Sequence, residues 1–418
     1  MSAGAIVIVI AAALAGEAAR SRHEHPTKAR RRRVTLPRGP RLTAAEALAL
    51  ARMFRHFGSK EFRGHSERYE YLSGVIADRP ELAAPLLAAP PGQRLAILYF
   101  AAVQYLLRTA APEHPLTAYL PTLGGSRGVD GELPAALADL VAAHGDALTA
   151  LCATRTTQTN EARRAALLRP GFGRATELLG RPLGLVELGT SAGLLLLSDR
   201  YACEYRRGAR VETYGPAGAL TVTCEVRGER WPEPAATALT IADRVGIDLA
   251  PIDPTDPRAT DWLRACVWPE QTDRLARLDA ALAEVASVRP RLLTGDMVDT
   301  LPIVLSTLDD DVVPCVFSSN AVTYLSSQDQ RRLVATLAEA GARRDLAMVL
   351  NEASQCGAEL FTGQRPVQAG PRGVLAVGLL TLVMWRGGRA SVEVLARTGP
   401  HGQWLEWTPQ EYVYAPRL

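Results

Sequence analysis

The segment with the clearest chemical potential is Val186-Glu187-Leu188-Gly189-Thr190-Ser191-Ala192-Gly193, in which an acid ends an apolar run and small residues follow. Gly189 permits a tight turn, and Gly193 lets a ligand approach the backbone closely. The apolar run that follows predicts that a helix begins at Leu194–Leu197. The unpaired N–H groups at the N-terminus of such a helix bind polar ligands. The pattern predicts a ligand-binding loop between a strand and a helix. Tight packing is the alternative use of these glycines.

The same residues match two other kinds of loop in part. A dinucleotide-binding loop needs a glycine where Ser191 stands. The Gly189-x-Ser191-x-Gly193 spacing also matches the nucleophile elbow of α/β-hydrolases, in which the serine attacks an acyl group. Asp345 and then His401 would follow in the order of a catalytic triad. The chain before the loop is predicted to be helical and contains no oxyanion segment of the His-Gly-Gly type, which disfavours a hydrolase.

Polar residues follow the later predicted strands as well. Asp248 follows the second core strand with Asp253 as the alternative acid, Asp296 follows the third, and Ser318-Ser319-Asn320 ends the fourth. The carboxyl ends of parallel strands meet at one edge of a sheet, where open α/β sheets bind ligands. An acid after the second strand can accept hydrogen bonds from ribose hydroxyls. Helix capping is the alternative role of each aspartate.

A further polar cluster runs from residue 156 to residue 164. Threonine and asparagine are poor residues for a helix interior. One interpretation is an exposed helix start capped by Thr157 or Thr159. The other is a wall of the active site, which assigns substrate binding to Gln158, Thr159 and Asn160 and makes Glu161 a candidate base.

Together these positions resemble a class I S-adenosylmethionine-dependent methyltransferase. The acid-x-Gly-x-x-x-Gly loop resembles motif I, which holds the amino-acid end of the cofactor S-adenosylmethionine. One departure is that Asp248 lies much further from the loop than the usual roughly 20 residues, for which an inserted β region near 201–242 must account. The resemblance implies that the cofactor-binding residues are Glu187, Gly189, Thr190, Ser191, Gly193, Asp248 and Asp296. It implies that the acceptor chemistry involves Asn320, Tyr324 and Glu161.

A second resemblance covers nearly all of the chain from about residue 50 to residue 408. It rests on Asp261-Trp262-Leu263-Arg264-Ala265-Cys266-Val267-Trp268-Pro269-Glu270-Gln271, on the loop and the polar cluster above, and on Trp404-Leu405-Glu406-Trp407. These segments resemble an uncharacterised bacterial family, domain of unknown function 2332, which is common in actinobacteria. The family implies no substrate. It often has a His-Ser/Thr-Ala run where this chain has Ser318-Ser319-Asn320, so a histidine base is not expected there.

Composition restricts the possible partners. Residues 1–43 hold nine basic and two acidic residues, so the remaining 38 basic and 42 acidic residues form a slightly acidic body without a nucleic-acid footprint. The six scattered cysteines form no C-x-x-C pair, which predicts no metal site and fits a reducing cytoplasm. The apolar run at 3–15 is shorter than the roughly 20 residues of a membrane span. We therefore expect a cytoplasmic protein without stable membrane anchoring.

The expected fold class is α/β, in three segments. Residues 1–42 are expected to be a disordered basic leader and residues 43–180 a helical region. Residues 181–418 are expected to form a Rossmann-like methyltransferase-type domain, with a mostly parallel sheet and a C-terminal antiparallel hairpin at 386–389. A long helix is expected from about Arg258 to Ala286.

Three functions remain open from the sequence. We expect a methyltransferase that acts on a small molecule. The alternatives are a serine hydrolase that uses Ser191 and a non-catalytic Rossmann-like binding protein. The third is favoured if Asp248 and Asp296 point away from the loop at Gly189. The methyl acceptor and the oligomeric state are not predicted.

Overall fold

The computed structural model describes residues 42–218, 220–370 and 377–416, so the predicted leader lies outside the described residues apart from its last residue. Within this part the chain forms two compact units. The helical unit comprises residues 42–159 and 261–275, and the sheet unit comprises residues 160–260 and 276–416. The chain thus enters the sheet unit, returns to the helical unit and leaves it again.

The helical unit is built as its sequence predicts. Its longer helices are α1 (Ala44–Phe57), α2 (Glu67–Asp78), α3 (Ala96–Thr109) and α4 (Leu133–Thr154). The capping box before α1 is present: the Thr43 hydroxyl accepts from the Glu46 amide, and the Glu46 carboxylate accepts from the Thr43 amide. A π-helical turn, Gly58–Phe62, follows α1.

The returning segment 261–275 completes the core of the helical unit. The Gln104 side chain donates to the carbonyl oxygens of Ala265 at 3.1 Å and Val267 at 2.6 Å. Trp262 is buried and its indole N–H donates to a backbone carbonyl. The ring of Trp268 lies 5.0 Å from that of Phe62. Trp262 is therefore a core residue, and the half-buried Trp268 packs at the edge of this core.

Among the described residues, one helix, α4, is long and apolar enough to cross a membrane by length and composition alone. A core helix of a soluble protein passes the same test, so α4 is weak evidence for a membrane span. The helix is interrupted at His144, whose φ of −130° is not helical.

The sheet unit contains one mixed, mostly parallel sheet. In chain order its described strands are β1 (Leu183–Leu188), β2 (Ala202–Arg207), β3 (Arg210–Tyr214), β4 (Thr221–Arg227), β5 (Ile241–Asp248), β6 (Arg291–Thr294), β7 (Val313–Ser319), β8 (Leu346–Ala353), β9 (Gly378–Arg386), β10 (Arg389–Thr398) and β11 (Trp404–Tyr412). The order across the sheet is β3-β2-β4-β11-β10-β9-β8-β7-β1-β5-β6. The parallel part, β6-β5-β1-β7-β8, has the order 3-2-1-4-5 of a doubly wound sheet.

Helices cover both faces of this parallel part. On one face lies α5 (Ala165–Leu179), and on the other lie α8 (Met297–Thr307), α9 (Ser327–Arg343) and α10 (Ala358–Thr362). Between β5 and β6 the chain forms α6 (Pro257–Ala265), which runs into the returning segment 261–275, and α7 (Thr272–Val288). Phe172 of α5 packs on Phe317 with ring centroids 5.2 Å apart. The neighbouring Val316, on the other face, joins a core with α8 and α9. α5 packs on the sheet and belongs to the sheet unit, which begins at residue 160.

Two helix predictions are wrong. Leu194–Leu197 form a four-residue 3-10 turn, and no α-helix follows Gly193 within residues 189–218, all of which are described. All four leucines are buried, so this apolar run packs into the core as a short turn. The helix expected at 258–286 is two helices, α6 and α7, because Pro269 lies between them and cannot continue a helix.

The β insertion lies where the sequence predicts it, as β2, β3 and β4 between β1 and β5. The hairpin is also present: β9 and β10 are joined by Gly387 at φ 54° and Gly388 at φ 75°, as a two-residue turn requires. The sequence did not indicate β11. It pairs with β10 on one side and with β4 on the other, and so attaches the insertion to the main sheet.

Candidate functional site

The loop after β1 lies where β1 meets β7, the point at which the strand order reverses. Gly189 and Gly193 have φ values of 74° and 78°, which only glycine adopts without strain. A Cβ on Gly189 would lie 2.4 Å from that of Ala321, and one on Gly193 would lie 3.1 Å from Leu292. The space beside both glycines is therefore filled by protein side chains, as in the packing interpretation.

Asp248 at the end of β5 holds this loop. Its Oδ2 accepts from the Ser191 amide and its Oδ1 from the Ala250 amide, both at 2.9 Å. Ser191 has a φ of 51°, a strained conformation for a residue with a side chain. Asp248 points toward the loop, which is the arrangement expected of a ligand site. Asp253, the alternative acid, caps its own turn by accepting from Thr255.

Glu187, the acid that ends β1, is buried. The Thr190 hydroxyl donates to its Oε2 at 2.7 Å. Burial, and to a smaller extent the charge of Asp248, raises the pKa of Glu187 to about 8. The Thr190 hydrogen bond and the charge of Arg164 oppose this rise but do not cancel it. Glu187 is therefore mostly protonated at neutral pH.

Asp296, after β6, has the capping role that was its alternative. It is the N-cap of α8, and its Oδ1 accepts from the amides of Val298 at 2.8 Å and Asp299 at 3.3 Å. The tip of β6 still joins the site, because the Gly295 amide donates to the Asp248 carbonyl at 2.9 Å. The side chain of Met297 reaches the loop: its Cε lies 3.9 Å from the Cβ position of Gly189.

The tip of β7 is held by a residue that sequence reasoning missed, Glu352 at the end of β8. Its Oε1 accepts from the Ser318 hydroxyl at 2.7 Å and from the amides of Ala321 at 2.8 Å and Val322 at 3.1 Å. Its Oε2 is buried with no hydrogen-bond partner among the described residues. Burial raises the pKa of Glu352.

Asn320 lies within this clamped tip. Its φ of 62° is left-handed, and its side-chain Nδ2 is buried with no hydrogen-bond partner among the described residues. Left-handed residues with side chains thus occur on both sides of the switch point, at Ser191 and at Asn320. Such strain concentrates at functional sites.

Arg164 ends the polar cluster at 156–164, but the sequence predicted no role for it. Its side chain is buried and donates to the carbonyl oxygens of Ser319 at 3.1 Å and Pro400 at 3.2 Å. Burial raises the pKa values of both Glu187 and Glu352, and the charge of Arg164 offsets a part of that rise. No short motif could have revealed it, because its partners lie 155 and 236 residues away along the chain.

The predicted polar wall is divided between the two units. Gln158 and Thr159 are the last residues of this part of the helical unit, where the Gln158 backbone hydrogen-bonds the Cys266 thiol. Asn160 and Glu161 begin the sheet unit and are buried. Glu161 forms an ion pair with Arg277 at 3.4 Å.

The positions of the remaining predicted residues argue against a serine hydrolase. Tyr324 is 56% exposed beside the tip of β7. Asp345 precedes β8 and accepts from the Gly387 amide at 2.9 Å, so it lies at the opposite edge of the sheet from Ser191 and cannot complete a triad with it. His401 follows β10 and lies at the same edge as Ser191. Among the described residues, no group of three or more histidine, cysteine or acidic side chains could hold a metal ion.

Comparison with known proteins places the chain in a family. Residues 51–407 match the family model described as "uncharacterized protein conserved in bacteria", DUF2332, and the chain belongs to this family. No curated protein matches the sequence.

Proposed function

For this member of the family we propose an S-adenosylmethionine-dependent methyltransferase that acts on a small molecule at the carboxyl edge of the sheet. The observation that carries the proposal is the Asp248 carboxylate, 2.9 Å from the Ser191 amide at the switch point of a 3-2-1-4-5 sheet. Open α/β sheets bind nucleotide-like ligands at this point, with an acid on the ribose.

The residues present fit the adenosyl part of the cofactor. Each carboxylate oxygen of Asp248 accepts one backbone hydrogen bond and keeps a lone pair for a ribose hydroxyl. Leu249, next to it, is 72% exposed, and Met297 lies beside the loop, so apolar surface is present for an adenine ring. The methionine part fits less well, since no α-helix begins at Gly193 and its carboxylate would depend on loop amides alone.

The cofactor, when bound, supplies an electrophilic methyl group. The chain's own contribution is to hold and align: Asp248 orients the ribose, and the clamped tip at Asn320 borders the acceptor. Proximity and alignment of this kind account for much of the rate of a bimolecular transfer. Glu161 is a weak candidate base because its carboxylate is already engaged in an ion pair with Arg277.

The proposed function includes the substrate class and the location that the sequence predicts. The proposed substrate is a small molecule, with no nucleic acid. A cytoplasmic location remains a proposal, which free cysteines throughout the described residues support.

Calorimetric titration of the full chain with S-adenosylmethionine and S-adenosylhomocysteine tests the proposal. We expect both to bind and Asp248→Ala to weaken each by at least about tenfold, because a buried ribose hydrogen-bond pair is worth more than about 1.4 kcal/mol. Asp253→Ala is the matched control and should bind as the natural chain does. The absence of binding at millimolar ligand, or equal affinities in the two variants, contradicts the proposal.

A further inference from the structure

The turn between β10 and β11, residues 399–403, carries the only histidine in the described part of the sheet unit, His401. β10 runs parallel to β8, because two antiparallel pairings separate them through β9. The turn therefore lies at the carboxyl edge of the sheet, together with the tips of β7 and β8. His401 is half-buried there.

Arg164 fixes this turn against the tip of β7. One guanidinium donates both to the Pro400 carbonyl at 3.2 Å and to the Ser319 carbonyl at 3.1 Å. Gly402 has a φ of 81°, and a Cβ there would lie 2.5 Å from the Arg163 carbonyl oxygen. The residues on both sides of His401 are thus held by the segment that precedes α5.

A second set of contacts links the ends of β10, β8 and β7. The Thr398 hydroxyl donates to Asn351 Oδ1 at 2.7 Å, and Asn351 Nδ2 donates to the Ser319 hydroxyl at 3.2 Å. The first of these bonds crosses β9 at Gly378, where a Cβ would lie 2.5 Å from the Thr398 hydroxyl. The glycine permits the link, and the link fixes the start of the turn beside Asn320.

We propose that His401 accepts the proton that the methyl acceptor loses, and hence that the acceptor is a hydroxyl or an ammonium group. This inference rests on the proposed function. The competing carboxyls are less suitable: Glu161 is paired with Arg277, Glu187 is buried against Thr190, and Glu352 already accepts three hydrogen bonds. Imidazole is the side chain most often used for proton transfer near neutral pH.

The proton balance of the step is simple. The acceptor O–H or N–H proton passes to an imidazole nitrogen and later to water. The lone pair left on the acceptor forms the bond to the methyl carbon, and the electrons of the broken carbon–sulfur bond stay on sulfur. The charged groups on neighbouring elements are Arg163 and Arg164 before α5 and Glu352 at the end of β8.

The test compares two ligands that differ only at the reacting centre. S-adenosylmethionine carries a cationic sulfonium, whereas S-adenosylhomocysteine carries a neutral thioether. A protonated His401 beside the transferred methyl repels only the first. We expect the Kd of S-adenosylmethionine divided by the Kd of S-adenosylhomocysteine to rise about tenfold in the natural chain when the pH is lowered from about 7.5 to about 5.5. In His401→Gln and His401→Asn the ratio should not change with pH, while His144→Gln should behave as the natural chain does.

The possible results separate the two proposals. Binding of neither ligand by the natural chain contradicts the proposed function itself. If the natural chain binds both ligands but the ratio of their Kd values does not depend on pH, the role of His401 is overturned and the proposed function stands. The same conclusion follows if the ratio rises equally in the natural chain and in the His401 variants. Loss of S-adenosylhomocysteine binding in both His401 variants, at unchanged melting temperature, also overturns it, because His401 would then be a binding residue.

Discussion

At the scale of single residues, the helical unit contains a buried carboxyl that no neighbour compensates. Glu61 lies in the π-helical turn, and both of its carboxyl oxygens are buried with no hydrogen-bond partner among the described residues. Burial raises the pKa of Glu61 to about 7. The ionised form is therefore disfavoured in the folded chain, and the free energy of unfolding must fall as the pH rises from about 4.5 to about 7.

We predict that Glu61→Met stabilises the chain, and more so at higher pH. The gain should be about 3 kcal/mol near pH 8 and smaller near pH 5, where the native side chain is mostly protonated when folded. Urea unfolding at the two pH values measures it. Glu81→Met, at a side chain that is 60% exposed, is the control and should show no such pH dependence. An equal effect at both pH values would show that Glu61 does not titrate in this range.

The candidate site was predictable at this scale only in part. Glu187, Asp248 and Asn320 could be placed at the carboxyl edge of the sheet because a polar residue at the end of a strand is a local pattern, and their functional roles stay predictions. Glu352 and Arg164 were missed because their roles depend on contacts made by distant segments. Asp296 caps α8 and its cofactor role stays a prediction, since a cap and a ligand-binding acid look the same in a sequence.

At the scale of elements, the order of short strands was predictable because each strand of the parallel part contains a short apolar run in the sequence. The helix expected after Gly193 failed because periodicity cannot separate a short buried turn from a buried helix. β11 was missed because its nine residues, Trp404–Tyr412, alternate poorly and contain Pro409. Its place between β4 and β10 depends on long-range pairing that no local pattern encodes.

Two helix glycines in different surroundings should respond to an added methyl group with opposite changes in the free energy of unfolding. A Cβ on Gly341 of α9 would lie 2.2 Å from the Trp385 ring of β9, whereas one on Gly74 of α2 would meet nothing within 4 Å. Gly341→Ala should lower the free energy of unfolding by about 1–3 kcal/mol through overpacking. Gly74→Ala should raise it by about 0.5–1 kcal/mol through helix propensity. Thermal unfolding of the two variants measures both, and a stabilised Gly341→Ala would contradict the packing described here.

At the scale of the whole molecule, the helical unit is discontinuous in sequence. Segment 261–275 supplies Trp262 and Trp268 to its core and the carbonyl partners of Gln104. The predicted linear domains missed this return, because a composition change marks where a segment begins but not which core it joins.

We therefore predict that a fragment of residues 42–159 does not fold alone. Without segment 261–275 the buried Gln104 amide loses two of its three acceptors and keeps Tyr69, and the aromatic rings around Phe62 lose Trp268. Near-UV circular dichroism and urea unfolding of the fragment provide the measurement. A native-like aromatic signal with a cooperative transition would show that the returning segment is dispensable.

The most direct measurement is a crystal structure of the full chain with S-adenosylhomocysteine. We expect the ribose hydroxyls on the Asp248 carboxylate, the adenine between Leu249 and Met297, and the sulfur facing Asn320 and His401. A ligand bound elsewhere, or an Asp248 side chain that touches only the Ser191 and Ala250 amides while the ligand occupies the site, would contradict this expectation.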